Sequence, residues 1–150
     1  MARAIQLSLD NVLSGAGGPF GAVIVKDGAI IAEGVNRVTE TNDPTAHAEV
    51  LAIREACAKL KAFTLAGCDI YTSCEPCPMC LGAIYWAHLG CIHYGNVASD
   101  ASQIGFDDSF IYREFEKAFP ERKIPMVPMM RDQALTAFRA WQEKSNKTVY

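Results

Sequence analysis

The chain has no apolar run near the roughly 20 residues that a membrane-spanning helix needs. Its longest such stretches, Pro19–Val25 among them, stop well short. It also lacks an excess of positive charge. Fourteen Lys and Arg against 17 Asp and Glu give a formal net charge of −3, so the general basic footprint of a nucleic-acid or anionic-membrane binder is missing. Seven Pro and 11 Gly are ordinary counts that exclude a disordered or collagen-like chain. Residues 1–15 carry Arg3 before a polar-interrupted stretch and show no signal-peptide core, which predicts a cytoplasmic protein. What is present is a globular mixture: 150 residues, half of them apolar and 21% charged, enough to fill the core of one domain. Six cysteines stand out, because 74, 77 and 80 lie close together. In a cytosolic chain such a cluster points to metal or catalysis rather than to disulfides.

Ile5, Leu9, Val12 and Leu13 recur at helical spacing, which predicts an amphipathic helix over 2–14 closed by Gly15. Strands are expected from Phe20 to Lys26 and from Ala29 to Asn36, joined at Asp27-Gly28, a strong hairpin signal. Residues 39–44 read as a polar loop, and a helix follows over 46–60 with Val50, Ile53, Cys57 and Leu60 on one face. A short strand over 69–73 precedes a helix opened by Pro76-Cys77-Pro78, proline being best tolerated in the first turn. Strands over 91–95 and around Met126–Met130, short helices over 98–104 and 110–118, and a last helix striped by Leu135, Phe138 and Trp141 complete the pattern. Strands alternating with helices predict an α/β sandwich with a mostly parallel sheet opened by an antiparallel hairpin.

The sharpest chemical signal is His47-Ala48-Glu49 at one helix start and Pro76-Cys77-Pro78-Met79-Cys80 at the next. Cysteines three apart on a helix share a face, so Cys77 and Cys80 can grip one ion, and His47 supplies a third ligand from the facing helix end. Three N and S ligands leave a fourth tetrahedral position for water, the catalytic rather than the structural zinc pattern. Two thiolates and a neutral imidazole cancel the charge of Zn2+, which keeps it a good Lewis acid. Glu49 then moves the water's protons, provided that the helix begins at Ala46, since only an open first turn lets residues 47 and 49 reach one ion. Taken alone, His-x-Glu is usually a solvated helix start, and Cys-x-x-Cys is more often half of a structural ribbon. A ribbon needs a second ligand pair, and none has the spacing. An iron–sulfur cluster needs a fourth cysteine where Ile84 stands. Cys74 reads as a spare small residue beside the site and Cys57 as core.

These residues resemble the cytidine-deaminase-like zinc hydrolases, whose signature is H-x-E followed by P-C-x-x-C. Gly18-Pro19-Phe20-Gly21-Ala22-Val23, the segment Asn42 to Glu49, Ser73 to Cys80, and Gly105-Phe106-Asp107-Asp108 look like bacterial guanine deaminases of that fold, over nearly the whole chain. The resemblance implies a three-layer α/β/α cytidine-deaminase-like fold with a mixed five-stranded sheet. It implies one zinc-dependent deaminase domain over 1–150, one zinc per chain on His47, Cys77 and Cys80, and a homodimer. Asn36 and Asp108 are expected to touch the substrate ring and Phe20 to line the pocket. The tail 146–150 is expected to be swapped onto the partner subunit, where Tyr150 caps the site. The implied reaction is hydrolysis of the C2 amino group of guanine to xanthine and ammonia, with Glu49 as the proton shuttle.

Guanine's hydrogen-bonding edges agree with this set. A carboxylate only accepts, which suits N1–H and the exocyclic amine, whereas N1 of adenine would meet Asp108 with repulsion. Read without the resemblance, Asp107-Asp108 is a solvated loop or a helix cap, and the tail is one that frays. Three other functions stay open at this level. A tRNA adenosine deaminase shares both zinc motifs but asks for a basic face. Deamination of cytosine, a nucleoside or a triazine turns on pocket shape. A non-enzymatic zinc module would need no Glu49.

Overall fold

A computed structural model describes residues 1–149. Two compact units make up the chain, Met1–Ser109 and a second from Phe110 onward. In the first, α1 (Ala2–Ser14), β1 (Gly21–Lys26), β2 (Ala29–Val35), α2 (Val38–Thr41), α3 (Ala48–Leu60), β3 (Cys68–Cys74), α4 (Pro78–Trp86), β4 (Ile92–Asn96) and α5 (Ala98–Gln103) follow in order. The β1–β2 hairpin turns on Asp27 (φ 50°) and Gly28 (φ 79°), two positive values that match the right-handed twist of the flanking strands.

Among the described residues the sheet has four strands in the order β2-β1-β3-β4, not the expected five. The missing strand is the one expected around Met126–Met130, where the described chain is neither helix nor strand. Pro125 and Pro128 remove two backbone donors from that stretch, which works against a ladder. The sheet is mixed, as expected, but it is not mostly parallel by pairing. β1 runs antiparallel to both β2 and β3, and only β3 and β4 pair in parallel. The reason is topological. α3 carries the chain from β2 across β1 to β3, so β2, β3 and β4 point the same way with β1 inserted against them. Alternating helices and strands in a sequence reveal common direction but not which strand sits between.

Helices cover both faces of this sheet. Gly21 pairs with Val35 and Ala22 with Gly34, so the two glycines lie on opposite faces. A Cβ on Gly21 would stand 2.5 Å from the carbonyl oxygen of Ala4 in α1, and one on Gly34 would stand 2.1 Å from that of Ala48 in α3. Backbone therefore packs on backbone on each side, giving a three-layer α/β/α arrangement. Ala22, Ile24, Ile70, Ala52, Ala56 and Leu65 fill the core. The buried residues of α1 are Ala4 and Asn11, whereas Ile5, Leu9, Val12 and Leu13 are exposed. The helix forms where its apolar stripe predicted, but the stripe faces outward.

The second unit holds α6 (Ser109–Glu116, which begins at the boundary), a 3-10 turn over Phe119–Glu121, and α7 (Arg131–Glu143). Glu114 accepts from the Lys123 backbone N–H at 2.7 Å and pairs with Lys117, while the Arg122 guanidinium lies 4.5 Å over the Phe119 ring. Among the described residues no helix is long and apolar enough to cross a membrane.

The strand directions gather one end of the first unit. Phe20 precedes β1, Asn36 follows β2, Cys77 lies just beyond β3, and α5 follows β4. All four positions fall at the carboxyl end of the three co-directional strands, where open α/β sheets place their sites.

Candidate functional site

Two helices begin at this end on residues that do not cap them. His47 is the N-cap of α3, with φ −75° and ψ 154°, and Cys77 is the N-cap of α4, with φ −64° and ψ 167°; neither side chain makes a capping hydrogen bond. The approach to His47 is shaped by Asp43, whose Oδ1 accepts from the Thr45 N–H at 2.8 Å and the Thr45 hydroxyl at 2.7 Å. The Arg37 N–H donates to the Ala46 carbonyl at 3.0 Å, which ties the exit of β2 to the residue before His47. Pro78 at the first position of α4 sets its start.

Because α3 begins at Ala48 rather than Ala46, His47 projects from the end of the helix and Glu49 from its open first turn. The demand that both reach one point is met by a different boundary from the one expected. Cys77 and Cys80 occupy the N-cap and third positions of α4, which face each other across a helix start.

His47 Nδ1 lies 3.6 Å from Cys77 Sγ and 3.5 Å from Cys80 Sγ, and the three donor atoms lie within 4.8 Å of one another. A tetrahedral zinc ion with nitrogen at about 2.0 Å and sulfur at about 2.3 Å sets N and S about 3.5 Å apart. The donor set therefore fits zinc in both element and spacing. Its protonation points the same way. The Cys77 thiol is brought down to about 4, chiefly by the hydrogen bond from Cys80 and then by His47. Cys80 is pushed up, chiefly because its proton serves that bond and then by burial. His47 is raised by its bond to Cys77 against the opposing effect of burial. Protons crowd into a space that three donors share, which is where a cation belongs.

Glu49 is buried beside this cluster, and burial is the largest cause holding its carboxyl above the ordinary range. Positive charge at the metal site acts in the opposite sense. Cys74 is buried too, with its thiol raised to about 11, chiefly by burial, and its sulfur 3.8 Å from the Val97 carbonyl oxygen. It stands outside the group of donors.

The zinc-binding region of cytidine and deoxycytidylate deaminases matches residues 1–96. Guanine deaminase of Bacillus subtilis (strain 168) is 57% identical over 148 residues, which covers 99% of this chain and 95% of that one. The chain belongs to the guanine deaminases of the cytidine-deaminase-like zinc hydrolases. The X-ray structure of the Bacillus subtilis guanine deaminase superposes with a TM-score of 0.96 at the same coverage. A solved relative in complex with 2,6-diaminopurine is 30% identical, with a TM-score of 0.68, 99% of this chain and 82% of that chain covered. The tRNA-specific adenosine deaminase of Aquifex aeolicus (strain VF5) is 54% identical, but over only 71 residues, 47% of each chain.

In this guanine deaminase Phe20 and Asn36 stand at the sheet end from which α3 and α4 begin, and Asp108 lies within electrostatic reach of Cys77. Asn36 is buried where β2 ends, and its Oδ1 accepts from the Val38 N–H at 3.3 Å. Phe20 meets Phe106 edge to face, with ring centroids 4.9 Å apart and planes at 89°. The two neighbouring aspartates divide their work. Asp107 Oδ1 accepts from the Ser109 N–H at 3.0 Å and so closes a turn ahead of α6. Asp108 instead feels the negative charge of Cys77, which, after burial, is the second cause raising its carboxyl. Tyr150 lies outside the described residues. Two residues that contact this set, Phe106 and Asn11, escaped the sequence reading of individual roles. Phe106 had its motif as a signal. Asn11 had none, being one polar residue in an amphipathic helix.

Proposed function

We propose the following division of labour in the zinc-dependent hydrolysis of guanine to xanthine and ammonia that this enzyme performs. His47, Cys77 and Cys80 hold the ion, which when bound supplies Lewis acidity toward a water. Glu49 takes a proton from the water that attacks C2 and delivers it to ring N3. It then takes the second water proton from the oxygen now bonded to C2 and gives it to the C2 amine, so that the carbonyl forms, the C–N bond breaks and ammonia leaves. Asn36, with its oxygen engaged by Val38, has its amino end left for a ligand, a donor suited to guanine O6. The Asp108 carboxylate accepts from the donor edge, and Phe20, backed by Phe106, flanks the ring. Adenine offers the reverse polarity at both polar contacts and is disfavoured twice. The observation that carries this reading is a buried carboxylate, Glu49, against a convergent His47–Cys77–Cys80 cluster with Asp108 in electrostatic reach.

Asp108→Asn tests the substrate half. It should lower kcat/KM for guanine by about a hundredfold at unchanged zinc content, because the amide can put a donor where guanine's donor edge was met by acceptors alone. A kcat/KM equal to wild type would return Asp108 to an ordinary loop position.

We further propose a homodimer that exchanges the tail 146–150, with Tyr150 over the partner's site. Exposed Phe138 and Trp141 on α7, and the outward stripe of α1, support an assembly that covers apolar surface. Deleting Lys147–Tyr150 should leave zinc and dimer intact while sharply cutting turnover. Mixing such chains with Glu49→Ala chains should then restore part of the activity, since a mixed dimer pairs one sound site with one sound tail. Full activity in the deletion variant would end the swap. Six free cysteines and thiolate ligands suit the reducing conditions of a cytoplasmic enzyme.

A further inference from the structure

We infer that Asn11, on the helix that packs on the sheet face opposite α3, is a positioning residue that sets Asn36 for the base. The proposal rests on the reading of Asn36 as a substrate contact. Asn11 sits in the last turn of α1 and is 5% exposed. Its Nδ2 donates to the Gly18 carbonyl at 2.8 Å and to the Asn36 carbonyl at 2.9 Å, so both amide hydrogens are spent. Each acceptor belongs to the pocket frame. The Gly18 carbonyl also takes the Phe20 N–H at 2.8 Å, and the Phe20 carbonyl takes the Asn36 N–H at 3.1 Å. One buried amide thus closes a ring of hydrogen bonds through Gly18, Phe20 and Asn36.

The fit around that ring is tight. A Cβ on Gly17 would stand 2.2 Å from the Asn36 carbonyl oxygen and 2.9 Å from Asn11 Nδ2. Neither the glycine loop nor the end of β2 can shift without displacing the other. A helix that packs through Ala4 has no need of a buried amide for adhesion; alanine would fill the face without the cost of burying a polar group. The amide's chemistry is needed because two carbonyls converge there, and only a side chain with two N–H groups satisfies both. Glu49 and the metal ligands hang on α3 and α4 instead, so loss of the clamp should be felt in binding of the base rather than in the chemical step.

Asn11→Asp keeps the size and removes the paired donors. It should raise KM for guanine about tenfold, with kcat and zinc content within about twofold of wild type. The decisive measurement is a double-mutant cycle with Asn36→Ala, which removes the ligand contact but keeps the backbone carbonyl that Asn11 holds. If Asn11 acts through Asn36, adding Asn11→Asp to Asn36→Ala should raise KM by less than about twofold. A full tenfold multiplication in the double variant, or an unchanged KM in Asn11→Asp alone, would overturn the proposal while leaving Asn36 a substrate residue. An unchanged KM in Asn36→Ala alone would remove Asn36 from the substrate set and the positioning role with it. Should Asn11→Asp not fold, Asn11→Ser, which keeps one donor, takes its place with a smaller rise in KM and the same cycle.

Discussion

Glu49→Gln should lower kcat by about 10²–10⁴-fold, the range expected for one general acid–base group, while zinc content stays stoichiometric. The amide has the carboxylate's shape but cannot carry a proton from water to N3 and on to the amine. Glu49 is 6% exposed and its charge is disfavoured there by burial before any other cause. Removing that charge should therefore leave the melting temperature at or above the wild-type value, a gain in stability at the expense of activity. Zinc analysis, thermal melting and ammonia release on the same preparation check all three. A zinc-loaded Glu49→Gln protein with near-normal kcat would place the shuttle elsewhere.

Cys80→Ala should cost the metal and all turnover with it. Cys80 is fully buried and, with Cys77, flanks His47 Nδ1 at 3.5 and 3.6 Å, so its loss leaves two donors and an apolar gap. Two ligands cannot hold zinc through dialysis against a chelator, and zinc should fall far below one per chain. Cys77→Ala should do the same. Cys74→Ser provides the contrast. Its thiol stands outside the donor group, so zinc should be retained in full. Retention of zinc in Cys80→Ala, or its loss in Cys74→Ser, would require a different ligand set.

The metal cluster and Glu49 were legible in the sequence because their chemistry is local. His47-Ala48-Glu49 and Cys77-Pro78-Met79-Cys80 each carry their geometry within one helical turn. The order of strands was not legible, because β1 slides between β2 and β3 through contacts that the spacing of apolar residues does not encode. The strand expected at Met126–Met130 had suitable side chains, but Pro125 beside it and Pro128 within it had already removed two backbone donors. Asp107 and Asp108 are indistinguishable as letters. One closes a turn ahead of α6 and the other feels a thiolate, and that difference appears only when the loop is folded near Cys77. Asn11 was hidden for a similar reason, since its partners are backbone carbonyls, which every residue has.

The inward face of α1 has a consequence for how this enzyme tolerates sequence change. Ala4 and Gly21 meet backbone to backbone, so the helix is held by shape, and any larger residue at either position would pry it from the sheet. A side chain at 21 would meet the Ala4 carbonyl oxygen and the Ser8 backbone nitrogen, which no exchange at position 4 removes, so larger residues at 4 or 21 should not be tolerated, while Ile5, Leu9, Val12 and Leu13 are released from the core. Drift at those four positions answers to whatever surface they meet. The inner and outer halves of one thirteen-residue helix can therefore evolve at different rates, the inner one locked to the catalytic frame and the outer one free to follow a partner.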